Sequence, residues 1–153
     1  MITISPEHPV QDDLALLHAR HTEAMHAETP PESIHMLPAD ALAAPGIRFY
    51  VMRKDGVAVA MGAFKEIDST HAEIKSMHLL SEHRGGGLAR QMLDHLIMEA
   101  EGAGYSRLSL ETGSEKIFAA ARSLYERAGF QYCGPFADYS EDPISVFMTL
   151  QLS

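Results

Sequence analysis

Arg84-Gly85-Gly86-Gly87-Leu88-Ala89-Arg90 is the segment of this 153-residue chain that most restricts its chemistry. Glycine adopts positive φ at no steric cost and lets another group come close to the backbone. The apolar periodicity that follows the three glycines predicts that a helix starts at Leu88. The free N–H groups of a helix's first turn point outward, and its dipole adds roughly half a positive charge. A glycine turn entering a helix is therefore suited to a phosphate or pyrophosphate. Arg84 and Arg90 flank it and can add charge-assisted contacts. Two nucleotide signatures fail. A Walker A loop needs Lys then Ser or Thr where Leu88 and Ala89 stand, and the dinucleotide fingerprint needs Gly or Ala where Arg90 stands. Taken alone, the run fits an anion site or a tight turn with no ligand.

Other reactive residue types are less telling. Among nine histidines, His18 and His21 are three apart on a predicted helix, with His26 beyond. No cysteine or carboxylate completes a ligand set and there is no His-Glu-x-x-His pattern, so no metal is expected. Cys133 is the single cysteine. It excludes an intramolecular disulfide, suits a reducing compartment and reads as a small buried residue.

The elements that must position the glycine run follow from periodicity. Ile2–Ile4 reads as a short strand and 12–27 as a helix with Leu14, Leu17, His21 and Met25 near one face. Strands are expected at 47–53, 57–65 and 72–80, the first two joined by the hairpin signature Asp55-Gly56. The helix from Leu88 carries Met92, Leu93, Leu96, Ile97 and Ala100 and stops at Gly102 and Gly104. A short buried strand at 108–110, a helix at 115–128 ended by Gly129, and strands at 130–133 and 145–151 complete an α/β chain with a mixed sheet. The proline-rich stretch 28–46 reads as a surface loop.

Composition sets outer bounds. At 153 residues the chain reads as one domain, 1–153, with 46% hydrophobic and 22% charged residues. A net charge of −9 argues against nucleic-acid binding, which needs a basic face. Met1 to Val10 has neither a basic region nor an apolar run, and no stretch approaches the roughly 20 apolar residues of a membrane span. A cytoplasmic protein with no membrane partner is expected.

The motifs together resemble a known family. Arg84-x-x-Gly87-x-Ala89 matches the Arg/Gln-x-x-Gly-x-Gly/Ala signature of the GNAT superfamily of CoA-dependent acyltransferases. Met77-His78-Leu79 precedes it at the place of that family's splayed central strand. Leu124-Tyr125-Glu126-Arg127-Ala128-Gly129-Phe130 resembles its Leu-Tyr-x-x-x-Gly-Phe element. The stretches 30–35, 108–114 and 136–143 resemble the bacterial YsnE-type branch. The resemblance implies a GNAT fold: a mixed, mostly antiparallel sheet with helices on both faces. It implies acetyl-CoA as co-substrate, with the pyrophosphate at Arg84, Gly85, Gly86, Gly87, Leu88, Ala89 and Arg90. The pantetheine arm would lie along the main chain of Met77, His78 and Leu79, where a bulge frees N–H groups for the thioester oxygen. Many members carry an Asn seven residues before the motif tyrosine; this chain has Phe118 there, which removes that polar contact from the expectation.

The implied reaction is direct attack of a primary amine of a small molecule on acetyl-CoA. Glu73, eleven positions before Arg84 and set between Ala72 and Ile74, stands where some members place a catalytic base, and burial there would raise its pKa. Tyr125 takes the place of the family tyrosine near the sulfur, as the acid for the departing thiolate. Glu32 and His35 in the proline-rich loop and Tyr139 before the last strand are candidates for lining the acceptor pocket. Protein or peptide N-acetylation and a non-catalytic acyl-CoA sensor are the alternatives, and the resemblance admits a homodimer.

Overall fold

A computed structural model describes residues 1–26 and 37–152. Seven strands form one sheet: β1 (Ile2–Pro6), β2 (Ile47–Lys54), β3 (Val57–Asp68), β4 (His71–Leu79), β5 (Arg107–Gly113), β6 (Gln131–Cys133) and β7 (Ser145–Gln151). Their order is β1-β2-β3-β4-β5-β7-β6. Only β4 and β5 run parallel; every other neighbouring pair is antiparallel. Among the described residues three α-helices, α1 (Ala15–His26), α2 (Leu88–Gly102) and α3 (Ala119–Arg127), join these strands. Single 3-10 turns lead into α1 and α3, at Asp12–Leu14 and Lys116–Phe118.

The central strands are apolar on both faces because both faces are covered. Along β2, Phe49 and Val51 join one cluster with Leu14 and Leu17 of the first helical segment and Leu42. Tyr50 and Met52 point the other way, into a larger cluster with Leu88, Met92, Leu93, Leu96 and Ala100 of α2 and Tyr125 of α3. This two-sided alternation is the period-two consequence of strand geometry. Leu93 and Leu96 are fully buried, and each such side chain contributes roughly 1.5–3 kcal/mol from removal of apolar surface. Gly62 of β3 lets α2 sit close: a Cβ there would lie 3.0 Å from Leu96. On the opposite face Arg53 pairs with Glu7 at 2.8 Å and Asp13 at 2.6 Å, tying the approach to α1 onto β2.

Some strands extend beyond their sequence-based limits, while the helices expected at 12–27 and 115–128 shorten to α1 and α3, each begun by a 3-10 turn. The Asp55-Gly56 turn has φ of 51° and 86° and is the expected two-residue hairpin. β3 runs to Asp68 and β5 to Gly113, each past the last strongly apolar residue, because main-chain pairing continues there. β7 inserts between β5 and β6, a register no local pattern specifies. Cys133 is exposed, contrary to the expectation of a buried residue, because β6 is a short edge strand with all three residues exposed.

Candidate active site

β4 and β5 are hydrogen-bonded over three pairs only, His71↔Arg107, Ala72↔Leu108 and Glu73↔Ser109. Beyond Glu73 and Ser109 they diverge, although β4 continues to Leu79 along β3 and β5 continues to Gly113 along β7. The facing edges of these two strand ends therefore have no strand partner, and a wedge opens in the middle of the sheet. A polar chain closes its narrow end: His71 Nε2 lies 2.6 Å from Ser109 Oγ, which lies 2.8 Å from Thr149 Oγ1.

The cause of the divergence is visible in β4. Met61 pairs with His78 and Ala63 with Lys75, so Ser76 and Met77 together face Gly62. Ser76 has φ of 52°, rare for a residue with a Cβ. This is a β-bulge, which bends its strand and redirects main-chain groups. Before it, Ala72 and Ile74 face α2 while Glu73 and Lys75 face the α1 side. After it, Met77 and Leu79 pack toward α2 and His78 lies edge-on to His21 of α1, ring centroids 5.3 Å apart. The bulge keeps the apolar residues in the core while turning the Met77–Leu79 main chain along the wedge.

β4 leads through a 3-10 turn at Ser81–His83 into the glycine run. Gly85 and Gly87 have φ of 86° and 78°, so both need glycine, and Gly87 is the left-handed residue that starts α2. No side chain caps this helix start, which leaves its first-turn N–H groups to solvent or ligand. Gly86 has no such backbone requirement, and a Cβ on any of the three would meet open space. The protein's own packing does not require glycine at 86. Arg84 is exposed beside the turn. Arg90, expected to flank the anion, is paired with Asp94 at 2.9 Å on the helix surface. Leu88 is buried and anchors the helix in the core, so its contribution to an anion site is its main chain.

On the α1 face, Glu73 is buried and has two partners. Lys75 Nζ lies 3.1 Å from its carboxylate, and the Tyr139 hydroxyl donates to it at 2.5 Å. Lys75 also donates to Tyr139 at 2.7 Å. Burial, then this contact with Glu73, pushes the Tyr139 phenol far above its ordinary range. The Tyr139 ring packs with Phe136 and Phe147 at centroid distances of 5.2 and 5.4 Å. Tyr139 thus joins β4 to the loop before β7 and borders the wedge. Glu32 and His35 lie outside the described residues.

Tyr125 enters from the opposite face. Its ring packs edge-on to Phe130, and burial, with a smaller contribution from the field of Glu111, pushes its phenol up to about 12. Glu111 itself was given no role by sequence reasoning. It lies on β5 just past the last β4–β5 pair, and burial pushes its carboxyl up to about 7 against the lowering influence of Ser145 and Lys75. A strand alternation was the available signal: Ser109 and Glu111 alternate with Leu108 and Leu110, hence on the face away from α2.

Phe118 also has a place. Its ring lies over the Gly113 backbone at the end of β5, where an added Cβ would come within 2.1 Å of it. Arg122 is held nearby by the carbonyls of Gly113 and Glu115, the latter at 2.9 Å. A cavity of about 590 Å³ opens on the α1 side, bordered among the described residues by His18, His21, Thr22, Leu37 and Ser76. No group of three or more metal-ligating side chains occurs among the described residues.

Residues 14–130 match the acetyltransferase (GNAT) family. The chain belongs to that family. GNAT relatives include YsnE of Bacillus subtilis (strain 168), named an uncharacterized N-acetyltransferase, at 52% identity over 86% of this chain and 87% of the relative. A protein of Azospirillum brasilense named IAA acetyltransferase is 38% identical over 96% of this chain and 95% of its own length. The fold is shared with a GNAT acetyltransferase of Elizabethkingia anophelis solved with acetyl-CoA bound. There the TM-score is 0.64 and the identity 19%, over 99% of this chain and 98% of that one. The chain is thus an N-acetyltransferase of this family, and its mixed sheet with α1 on one face and α2 and α3 on the other is the GNAT architecture.

Proposed function

We propose that this single-domain GNAT protein transfers the acetyl group of acetyl-CoA to a primary amine of a small molecule, by direct attack in a ternary complex. The observation that carries the reading is the wedge between β4 and β5, which leads from the bulge to an uncapped, glycine-lined helix start. The main chain of Gly85, Gly86, Gly87, Leu88, Ala89 and the first turn of α2, with Arg84 alongside, would hold the pyrophosphate. The unpaired edge at Met77, His78 and Leu79 would pair with the pantetheine arm and aim an N–H at the thioester oxygen. Acetyl-CoA supplies the activated acyl group. The chain's residues align it, hold the acceptor, and move protons.

Tyr125 supplies the proton that the departing sulfur needs. Its high pKa keeps it protonated across the physiological range, and its burial in the core fixes its position. A buried carboxylate at the wedge takes the proton from the amine, and Glu73 is the one that position in the family points to. Tyr139 and the α1-side cavity border the acceptor's approach. The net charge of −9 gives weak support to a cationic acceptor.

Thiol release from acetyl-CoA against a panel of amines, amino acids and peptides tests the proposal. Turnover on small primary amines is expected. Turnover confined to peptides would replace the acceptor assignment, and binding of acetyl-CoA with no thiol release on any acceptor would overturn the reading. Gly87→Glu places a bulky anion at the pyrophosphate position and is expected to abolish acetyl-CoA binding; unchanged affinity by calorimetry would refute the site.

A further inference from the structure

Ser109 joins three strands at the apex of the wedge. It stands opposite Glu73 on the last rung of the β4–β5 ladder and opposite Thr149 on the β5–β7 ladder. His71, two residues before Glu73 on β4, reaches it diagonally, with Nε2 2.6 Å from the Ser109 Oγ. Thr149 Oγ1 lies 2.8 Å away on the other side. A hydroxyl has one proton to give and lone pairs to accept with, so Ser109 can serve both neighbours at once. Ser109 is only 1% exposed. Aromatic rings close the face above the chain: Phe136 lies 5.7 Å from His71 and 5.8 Å from Phe147 between ring centroids. Burying hydroxyls costs free energy unless they are paired, and apolar residues in their place would hold the strands together about as well. What a satisfied buried chain adds is direction. Hydrogen bonds fix distances and angles between particular atoms, whereas apolar contact is non-directional.

We infer that Ser109 is a positioning residue for the thioester: through His71 and Thr149 it fixes the angle at which β4 leaves β5, and with it the line and depth of the wedge. The inference rests on the acetyl-transfer reading above. The effect of Ser109 reaches the cofactor through the main chain of β4. Two devices then share the work. The bulge at Ser76 sets where β4 bends, and the hydroxyl chain sets where its pairing with β5 ends. The length of strand between them acts as a lever. At roughly 3.3 Å per residue, Met77 lies about 13 Å beyond Glu73, so turning β4 by about 5° at the last rung moves Met77 by about 1 Å. A misplacement of that size at a reacting group costs up to about 100-fold in rate. The glycine turn lies past the far end of β4 and is tied to the core by the buried Leu88. The nucleotide end of the cofactor is therefore insulated from a change at Ser109, while the thioester end is not.

Ser109→Ala removes both hydrogen bonds of the chain. It is expected to lower kcat by roughly 10- to 100-fold. Its affinity for adenosine 3′,5′-bisphosphate, the nucleotide end of the cofactor without the pantetheine arm, is expected to match the wild type by calorimetry. Ser109→Thr and Ser109→Val have the same shape and differ only in the hydroxyl, so whatever the added methyl costs is common to both. The threonine variant is expected to be at least several-fold faster than the valine variant. Thr149→Val breaks the chain at its other end and is expected to slow turnover in the same direction. The double variant Ser109→Ala/Thr149→Val is expected to be no slower than Ser109→Ala alone, because the chain is already lost. Wild-type kcat in Ser109→Ala, equal rates for the threonine and valine variants, or multiplicative losses in the double variant would each overturn the inference. Loss of nucleotide affinity in parallel with kcat would also overturn it, since it marks a general loosening of the fold. A wild type inert toward every acceptor rejects the acetyl-transfer reading itself, an outcome distinct from an active wild type whose Ser109→Ala variant is unaffected.

Discussion

His21 is expected to make the protein acid-labile in a defined window. Its imidazole is 9% exposed between α1 and β4, edge-on to His78. Burial, and then the neighbouring His78 and His18, holds its pKa down to about 4, against 6.5 for the unperturbed group. The folded state therefore binds fewer protons than the unfolded state between these values. Its stability is fully present above about 6.5 and falls as pH drops toward 4. For one group with these two pKa values, the loss between pH 7.5 and pH 4.5 integrates to about 2.5 kcal/mol. That is a sizeable part of the roughly 5–15 kcal/mol that holds a domain together. His78 is held at about 4 too, by burial and then Arg84 and Arg20, but it is only half-buried and its contribution is smaller. Other groups titrate over the same range, so the informative quantity is a difference. His21→Leu fills a similar volume without a proton site. Urea unfolding of both proteins at pH 7.5 and 4.5 isolates the histidine. The acid-induced fall in stability is expected to be about 2.5 kcal/mol smaller in the variant, equivalent to roughly 1 M in urea midpoint for a protein of this size. Parallel losses in the two proteins would show that His21 is protonated without penalty and would refute the reasoning.

Three further outcomes follow from the geometry. Gly86→Ala puts a methyl group into open space, so unfolding stability is expected to change by less than about 0.5 kcal/mol while calorimetry shows weaker acetyl-CoA binding; unchanged affinity would show that nothing rests on that face of the loop. Tyr125→Phe retains the packing against Phe130 and removes the proton donor, so turnover is expected to fall roughly 100-fold with acetyl-CoA affinity preserved, and full activity would remove Tyr125 as the acid. Gly113→Ala drives a methyl into the Phe118 ring at 2.1 Å and is expected to lower stability by about 1–3 kcal/mol, with the smaller Phe118→Leu restoring part of the loss in the double mutant; additive losses would show that the two sites do not touch.

The features that were legible in the sequence are local. Gly85 and Gly87 could be read as a turn because positive φ is a property of single residues, and α2 could be read because its apolar stripe repeats within one segment. The hairpin at Asp55-Gly56 was equally plain, since two residues suffice to define it. Pairing the glycine turn with Leu124–Phe130 pointed to the family, because the match needed only residue types and spacing. Cys133 escaped this reading: its apolar neighbour Phe130 is buried, yet the edge position of β6 that exposes it depends on where β7 inserts.

The wedge was decided by tertiary structure. It requires β4 and β5 to pair for three residues and then part, and it requires a bulge at Ser76 opposite Gly62, a residue fourteen positions earlier on another strand. The character of the carboxylates was decided there as well. In sequence, Glu73 is a glutamate between two apolar residues and Glu111 is a glutamate after Leu110; neither spacing says which one meets a cation. Folding brings Lys75 and Tyr139 onto Glu73, across as many as sixty-six residues, and leaves Glu111 half-buried within the fields of Lys75 and Glu73. The sequence by itself determined the glycine turn and the family, because those rest on backbone preferences and short-range periodicity. How buried each carboxylate is, and what it pairs with, was determined only by the three-dimensional arrangement, because burial and charged partners arrive from distant parts of the chain.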